Sequence, residues 1–122
     1  MKLEVGMYVR LVNDVEDIVV INKIANVFET TILTENDGSI YQGEYTKENV
    51  VKASYDIIDI LEIGDIISFY EDIDNYKKQY VIGIPDLITL DEIKGKITND
   101  NIRLVSILTK EQFEYMEYRI GE

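Results

Sequence analysis

The sequence predicts a mainly β protein built from two tandem modules, because β-forming residues are abundant and a short segment occurs twice. Nine Tyr residues accompany many Ile and Val residues, and these residue types favour a pleated, half-buried strand. The segment Leu3-Glu4-Val5-Gly6 returns as Leu61-Glu62-Ile63-Gly64, and Asp14-Val15-Glu16 returns as Asp72-Ile73-Asp74 at the same offset. Two matches in the same order indicate an internal duplication.

The first module is predicted to span residues 1–54. Gly6 favours a turn before the first strand, and Asn13 to Asp17 form a polar hairpin tip, called here the first acidic tip. Asp37-Gly38 is a pair typical of a tight two-residue hairpin. The predicted elements are four strands, a single helical turn and a closing strand, at 8–11, 18–24, 27–34, 39–45, 46–49 and 50–54.

The second module, at residues 61–108, repeats that order. Its predicted first strand, polar tip, return strand and closing segment lie at 61–69, 71–75, 78–84 and 98–106, where the closing segment echoes 46–54. The tip at 71–75 is called here the second acidic tip. We expect the repeated part of the chain to end with this module, at residue 108.

The connector between the modules, residues 55–60, is too apolar for an exposed linker. We therefore expect Ile57, Ile58 and Ile60 to be packed and to join the two modules. Residues 109–122 form a C-terminal helix-strand tail. Thr109 followed by Gln112 fits a capping box that starts a helix, and the alternation over 115–120 predicts a last strand.

The charge of the chain excludes some partners. Twenty-four acidic residues against twelve basic ones give a net charge of −12, which repels nucleic acid and anionic membranes. The same charge suits a competitor for a surface that normally binds nucleic acid, and it also serves plain solubility.

Neither histidine nor cysteine occurs in the sequence. Ser-His and Cys-His catalytic arrangements and Cys-based zinc sites therefore cannot be built. We expect no catalytic residue, no bound metal and no cofactor. The apolar runs are too short to span a bilayer, and the start of the chain, with the charged residues Lys2 and Glu4, shows no secretory pattern. These two observations predict a cytoplasmic protein.

Three residue groups invite a more specific interpretation. Asp72 and Asp74 are spaced to face the same way and hold a divalent ion, but one such pair provides few ligands, which favours a solvated tip. Residues 33–44 partly mimic a calcium loop, yet Leu33 stands at the first ligand position and a hairpin fits better. The Tyr residues at 41, 45, 76, 80, 115 and 118 line either a barrel wall or an aromatic binding surface.

Several strands followed by a short helical turn and a closing strand resemble the order of an SH3-like small barrel, as does the Leu-Glu-x-Gly-x-x-Val start at Leu3. The chain also resembles a family of small proteins encoded in phages and prophages of clostridia and related Firmicutes. The residues that carry this resemblance are 3–10, 51–65 and 107–118. The resemblance implies two tandem SH3-like small barrels, brings no catalytic residues with it, and leaves binding specificity to the variable hairpins.

These observations predict a non-enzymatic phage or prophage protein that inhibits a bacterial defence component in the host cytoplasm. The inhibition is anti-CRISPR-like and works by acidic mimicry of nucleic acid, so the expected partner is a basic nucleic-acid-binding host protein. The predicted partner-binding residues are Asp14, Glu16, Asp17, Glu71, Asp72 and Asp74. Two alternatives stay open: a nucleotide or small-molecule sponge with its pocket between the modules, and a phage structural or accessory protein.

Overall fold

The computed structural model describes residues 2–15, 17–36, 39–71, 77–82, 91, 95 and 102–116. The chain divides into two compact units, unit 1 at Met1–Ile60 and unit 2 at Leu61–Glu122. The prediction of a mainly β fold is confirmed. Among the described residues, no helix is long and apolar enough to cross a membrane.

The described residues of unit 1 form five strands and two short 3-10 helices. The strands are β1 Tyr8–Asn13, β2 Ile18–Val27, β3 Thr31–Glu35, β4 Gly43–Thr46 and β5 Val50–Ser54. The 3-10 helices are η1 Lys47–Asn49, between β4 and β5, and η2 Ile57–Ile60. The strands form one antiparallel sheet in the order β4-β3-β2-β1-β5.

The core of unit 1 lies against one face of this sheet. Its buried residues are Met7, Val9, Leu11, Ile18, Val20, Ile24 and Ile32, which mostly follow the two-residue alternation of a strand. Arg10 points to the other face, is also buried, and donates from Nη1 to the carbonyl of Ile60 at 3.2 Å. Ile58 and Ile60 are buried, as expected for a packed connector. Their role in joining the two modules stays a prediction.

The strand β2 is longer than the sequence indicated. A register shift between Ile24 and Asn26 marks a bulge, which bends the strand and lets it pair with both β1 and β3. The chain then turns tightly, with Phe28 N–H donating to the carbonyl of Thr31 at 2.9 Å. The strand predicted at 27–34 therefore begins only at Thr31.

Among the described residues, unit 2 includes a three-stranded antiparallel sheet and a helix that follows it. The strands are β6 Ile66–Glu71, β7 Lys77–Val81 and β8 Ile102–Leu108, in the order β7-β6-β8, and the helix is α1 Lys110–Met116. Ile67, Phe69 and Ile82 are fully buried.

The capping box at the start of α1 is confirmed. Gln112 N–H donates to Thr109 Oγ1 at 3.1 Å, and Thr109 N–H donates to Gln112 Oε1 at 2.9 Å. The strand predicted over 115–120 is wrong at its first two residues, because α1 continues through Met116. The rest of that strand lies outside the described residues.

The start of unit 1 and the start of unit 2 share backbone contacts, which recur 58 positions later along the chain. Gly6 and Gly64 have φ of 92° and 100°, and they donate to the carbonyls of Ile24 and Ile82 at 2.9 and 2.7 Å. The strand registers repeat as well. Tyr8 lies opposite Lys23 in β2, and Ile66 lies opposite Val81 in β7.

The described strands form open sheets rather than closed barrels. In unit 1, β4 and β5 are the edges, and within the described residues no ladder joins them. β4 has only four residues and β5 pairs with β1 alone. Among the described strands of unit 2, β7 and β8 lie at the edges.

Candidate functional site

The predicted partner-binding residues fall on the two acidic tips. Asp14 and Asp17, on the first acidic tip, are both exposed. Glu71 is the last residue of β6. The remaining three lie outside the described residues: Glu16, Asp72 and Asp74. The first acidic tip is therefore the part of the predicted site whose side-chain contacts the structure describes.

The first acidic tip is a short hairpin loop with a defined local conformation. Asn13 and Ile18 face each other across the β1–β2 ladder, so four residues make the connection. The Asn13 side chain accepts the N–H of Val15 at its Oδ1 atom, 3.0 Å away, which is an Asx turn. Asp17 has φ of 53°, a left-handed conformation that Asp tolerates better than most residues. The loop thus follows from its own Asn and Asp residues.

Contacts from distant parts of unit 1 also hold this tip. Asn49, in η1, donates from Nδ2 to Asp14 Oδ2 at 2.9 Å and to the carbonyl of Val12 at 3.1 Å. Asn13 donates from Nδ2 to the hydroxyl of Tyr45, in β4, at 3.0 Å. The side-chain amide of Asn49 therefore joins the end of β1, the first acidic tip and η1.

A buried polar network continues from Tyr45 into the core. The Tyr45 hydroxyl donates to the carbonyl of Tyr41, which also accepts from Asn22 Nδ2 at 2.9 Å. Asn22 is buried on the core side of β2 and donates to Thr34 Oγ1 at 2.9 Å. Its Oδ1 accepts from Asn36 Nδ2 at 3.1 Å. In the described part of the chain, every buried side-chain nitrogen or oxygen has a hydrogen-bond partner.

The exposed surface of the tip combines carboxylates with one apolar side chain. Val15 is 92% exposed, between the exposed residues Asp14 and Asp17. Unit 1 as a whole contains eleven acidic and five basic residues, a net charge of −6. Unit 2 contains thirteen and seven, which is again −6. The tip therefore lies in a negative field that attracts basic surfaces.

The sequence singled out two groups of acidic residues as possible metal ligands, at residues 33–44 and at Asp72 and Asp74. In the residues that the structure describes, no three acidic side chains lie close enough together to hold a metal ion. Leu33 and Glu44 face each other across the β3–β4 ladder, and Glu44 Oε1 accepts the Thr31 hydroxyl at 2.8 Å. The segment that mimics a calcium loop is thus part of a hairpin, as the sequence indicated. The divalent-ion interpretation of residues 72 and 74 lies outside the described residues.

Of the six tyrosines singled out in the sequence, the structure describes the side chains of two. Tyr41 and Tyr45 are half-buried and pack against the core of unit 1. Their polar atoms belong to the network behind the tip, so in unit 1 these two residues line the interior. The other members of the predicted set contribute no described side chain.

Sequence reasoning located the tip but missed the residues that hold it. Asn49 and Tyr45 lie 35 and 32 positions from their partners Asp14 and Asn13. No local pattern signals contacts of that range. The only usable signal is Asn13 itself, since an Asn before a loop predicts an Asx turn.

Comparison with known proteins gives no match: no protein-family model fits the chain, and neither a curated protein nor a solved structure is similar to it.

Proposed function

We propose that the chain is a non-enzymatic interaction protein that presents acidic hairpin tips to a basic, nucleic-acid-binding partner. The observation that carries this proposal is the first acidic tip, whose exposed Asp14 and Asp17 are held on a structured loop in a unit of charge −6. Exposed carboxylates at a contact rim act mainly through long-range attraction, which raises the association rate. A basic groove that normally holds phosphates is the surface that such a tip fits best.

The duplication supports a two-point contact. Asp14-Val15-Glu16 has its counterpart in Asp72-Ile73-Asp74, so each unit carries acidic residues around a β-branched aliphatic residue. Two weak contacts on one chain bind more tightly than either alone when a partner engages both. This favours an extended basic surface over a small pocket.

We further propose that each unit is an SH3-like module. Unit 1 supports this with the strand order β4-β3-β2-β1-β5, the bulged β2 that pairs on both sides, and η1 placed between β4 and β5. The order β7-β6-β8 in unit 2 corresponds to the β2-β1-β5 part of unit 1. On such a scaffold the hairpins vary and carry specificity, which agrees with a contact through the tips.

The expected target is a bacterial defence component in the host cytoplasm, and the inhibition is anti-CRISPR-like. The resemblance to phage and prophage proteins supports this choice, because such proteins meet host defence enzymes that bind nucleic acid. The absence of His and Cys from the sequence supports a blocking role rather than a catalytic one.

Affinity capture from a bacterial host tests the proposal. The tagged full-length chain is used as bait, and the bound material is analysed by protein mass spectrometry and by small-molecule profiling. We expect a basic nucleic-acid-binding protein that is released as salt rises. Capture of a metabolite alone, or of a partner that salt does not release, would contradict the proposal.

A matched pair of neutralised baits tests whether the tip makes the contact. D14N/D17N removes two charges, while Asn still accepts the Asn49 amide and tolerates a left-handed φ. E29Q/E35Q removes two exposed charges elsewhere in unit 1. We expect D14N/D17N to lower recovery of the partner and E29Q/E35Q to leave it near the wild-type level.

A further inference from the structure

We infer that Asn49 and Tyr45 are positioning residues, which hold the first acidic tip in its binding conformation before any partner arrives. This role goes beyond the proposed function, because it assigns a task to two residues outside the contact surface. The ordering of the tip is a property of the free protein. Only its purpose, to favour binding of a partner, rests on the proposed function.

The geometry at Asn49 carries the inference. Its side-chain amide donates to the Asp14 carboxylate at 2.9 Å and to the carbonyl of Val12 at 3.1 Å. Val12 belongs to β1, which pairs with a strand on each side, whereas Asp14 belongs to the loop. Asn49 is itself the last residue of η1. The side-chain amide of Asn49 thus fixes Asp14, a loop residue, to β1 and to η1.

Tyr45 provides a second, separate attachment. Its hydroxyl accepts from Asn13 Nδ2 at 3.0 Å and donates to the carbonyl of Tyr41. The Tyr41 carbonyl is bound in turn by the buried Asn22. The loop is therefore connected to the core through four hydrogen-bonding groups.

These two attachments matter for binding because a free hairpin loop must lose conformational entropy when it docks. A loop that is ordered beforehand avoids much of that loss. The Asx turn at Asn13 orders the loop locally, but it does not fix Asp14 against the sheet. Asn49 performs that task, and it also keeps the Asp14 carboxylate at a set place beside the exposed Val15.

Backbone NMR on the free full-length protein tests this role without any partner. Asn49→Ala removes both amide contacts. Asn26→Ala is the matched control, because the Asn26 side chain is exposed and accepts the N–H of its neighbour Val27 at 2.9 Å. The readouts are the ¹⁵N order parameters of Asp14, Val15 and Asp17, and the exchange rate of the Val15 amide. Core amides in β1 and β2 serve as an internal reference.

We expect Asn49→Ala to lower the order parameters in the tip from about 0.85 towards 0.6 and to speed Val15 exchange several-fold. The core reference amides should stay unchanged, and Asn26→Ala should leave the tip as ordered as in the wild type. Tip order that is unchanged in Asn49→Ala would overturn the inference. Uniform loosening of the whole sheet would also overturn it, because Asn49 would then be a general stability residue.

Tyr45→Phe is the second variant, which removes one hydroxyl and keeps the ring that packs on the core. It should loosen the tip by the same kind of local change, and a rigid tip in this variant would count against the role of Tyr45. If the tip loosens as expected but no basic partner is ever captured, the positioning role stands and the proposed function fails.

Discussion

Met7 and Asp65 occupy the same place in the two repeated turns, and each accepts the backbone N–H of the residue three positions before it. In unit 1 the Met7 sulfur accepts the Glu4 N–H at 3.3 Å, and in unit 2 the Asp65 carboxylate accepts the Glu62 N–H at 2.8 Å. Asp65 is fully buried, and its other oxygen accepts the Lys110 N–H at 2.9 Å. A carboxylate therefore ties the turn of unit 2 to its helix.

Replacing Asp65 should destabilise unit 2 more than replacing Met7 destabilises unit 1. Asp65→Ala leaves the Glu62 and Lys110 N–H groups without this acceptor, at a cost of about 3 kcal/mol. Met7→Leu is a volume-conserving change and should cost less than about 1.5 kcal/mol. Amide hydrogen exchange measures the loss of stability separately in each unit. The reporter in unit 2 is the Ile82 N–H, which donates to the carbonyl of Asp65, and the reporter in unit 1 is the Ile24 N–H, which donates to the carbonyl of Met7. Equal effects in the two units would contradict this difference.

The two turn glycines should respond unequally to alanine. Both have positive φ, so alanine strains either turn by about 1 kcal/mol or more. At Gly64 an added Cβ would also lie 3.2 Å from the Lys110 Cβ, whereas at Gly6 the nearest atom is Tyr55 Cε1 at 3.9 Å. Thermal unfolding should therefore show the larger loss for Gly64→Ala. A larger loss for Gly6→Ala would show that crowding by α1 does not matter.

The capping box should stabilise α1 through both of its side chains. Thr109→Ala is expected to cost about 1 kcal/mol, because it removes the acceptor for the Gln112 N–H, and Thr109→Ser should retain most of the stability. Urea denaturation of these variants, combined with Gln112→Ala in a double-mutant cycle, measures the coupling. Strictly additive losses would mean that the reciprocal contacts act independently.

Local patterns in the sequence predicted the elements whose cause is local. Gly6 predicted a turn, Asn13 and the following acids predicted a hairpin loop, and Thr109 predicted a helix start. Each of these depends on residues within four positions of one another, so short segments contain the whole physical cause. The strand predicted at 61–69 is wrong at its start, because Gly64 lies in a turn and β6 begins only at Ile66.

Features that depend on strand pairing were not predictable in this way. The sequence match between the closing segments pairs Ser54 with Ser106, but the strand register instead places Ser106 where Lys52 stands in unit 1. Both closing strands contain a bulge, with Val51 and Val105 as the extra residues, 49% and 46% exposed. Composition does not reveal a bulge, because the extra residue is defined only by its partner strand.

The same limit applies to the candidate site. Charge and turn chemistry located Asp14 and Asp17, but the contacts of Asn49 and Tyr45 depend on how β4 and η1 return to the β1–β2 loop. Side chains brought together by chain topology leave no spacing signal in the sequence. The structure was needed to identify them.

The proposed function requires the acidic tips to steer the chain to a basic partner. Its most direct test is the association rate of the captured partner, measured by stopped flow from low to high salt. The variant carries lysine in place of Asp14, Glu16, Asp72 and Asp74. The control carries lysine in place of four exposed acids outside the two tip segments of the sequence: Glu29, Glu35, Glu44 and Asp91. Asp14 and the four control residues are exposed. Substitutions at exposed positions usually change stability little, so we expect both proteins to fold.

The tip variant should associate about tenfold more slowly at low salt and show a shallower dependence on salt, because long-range attraction is lost. The control has the same net charge and should keep a rate closer to that of the wild type. A tip variant that folds normally and associates at the rate and salt slope of the control would contradict the claim that the acidic tips make the contact.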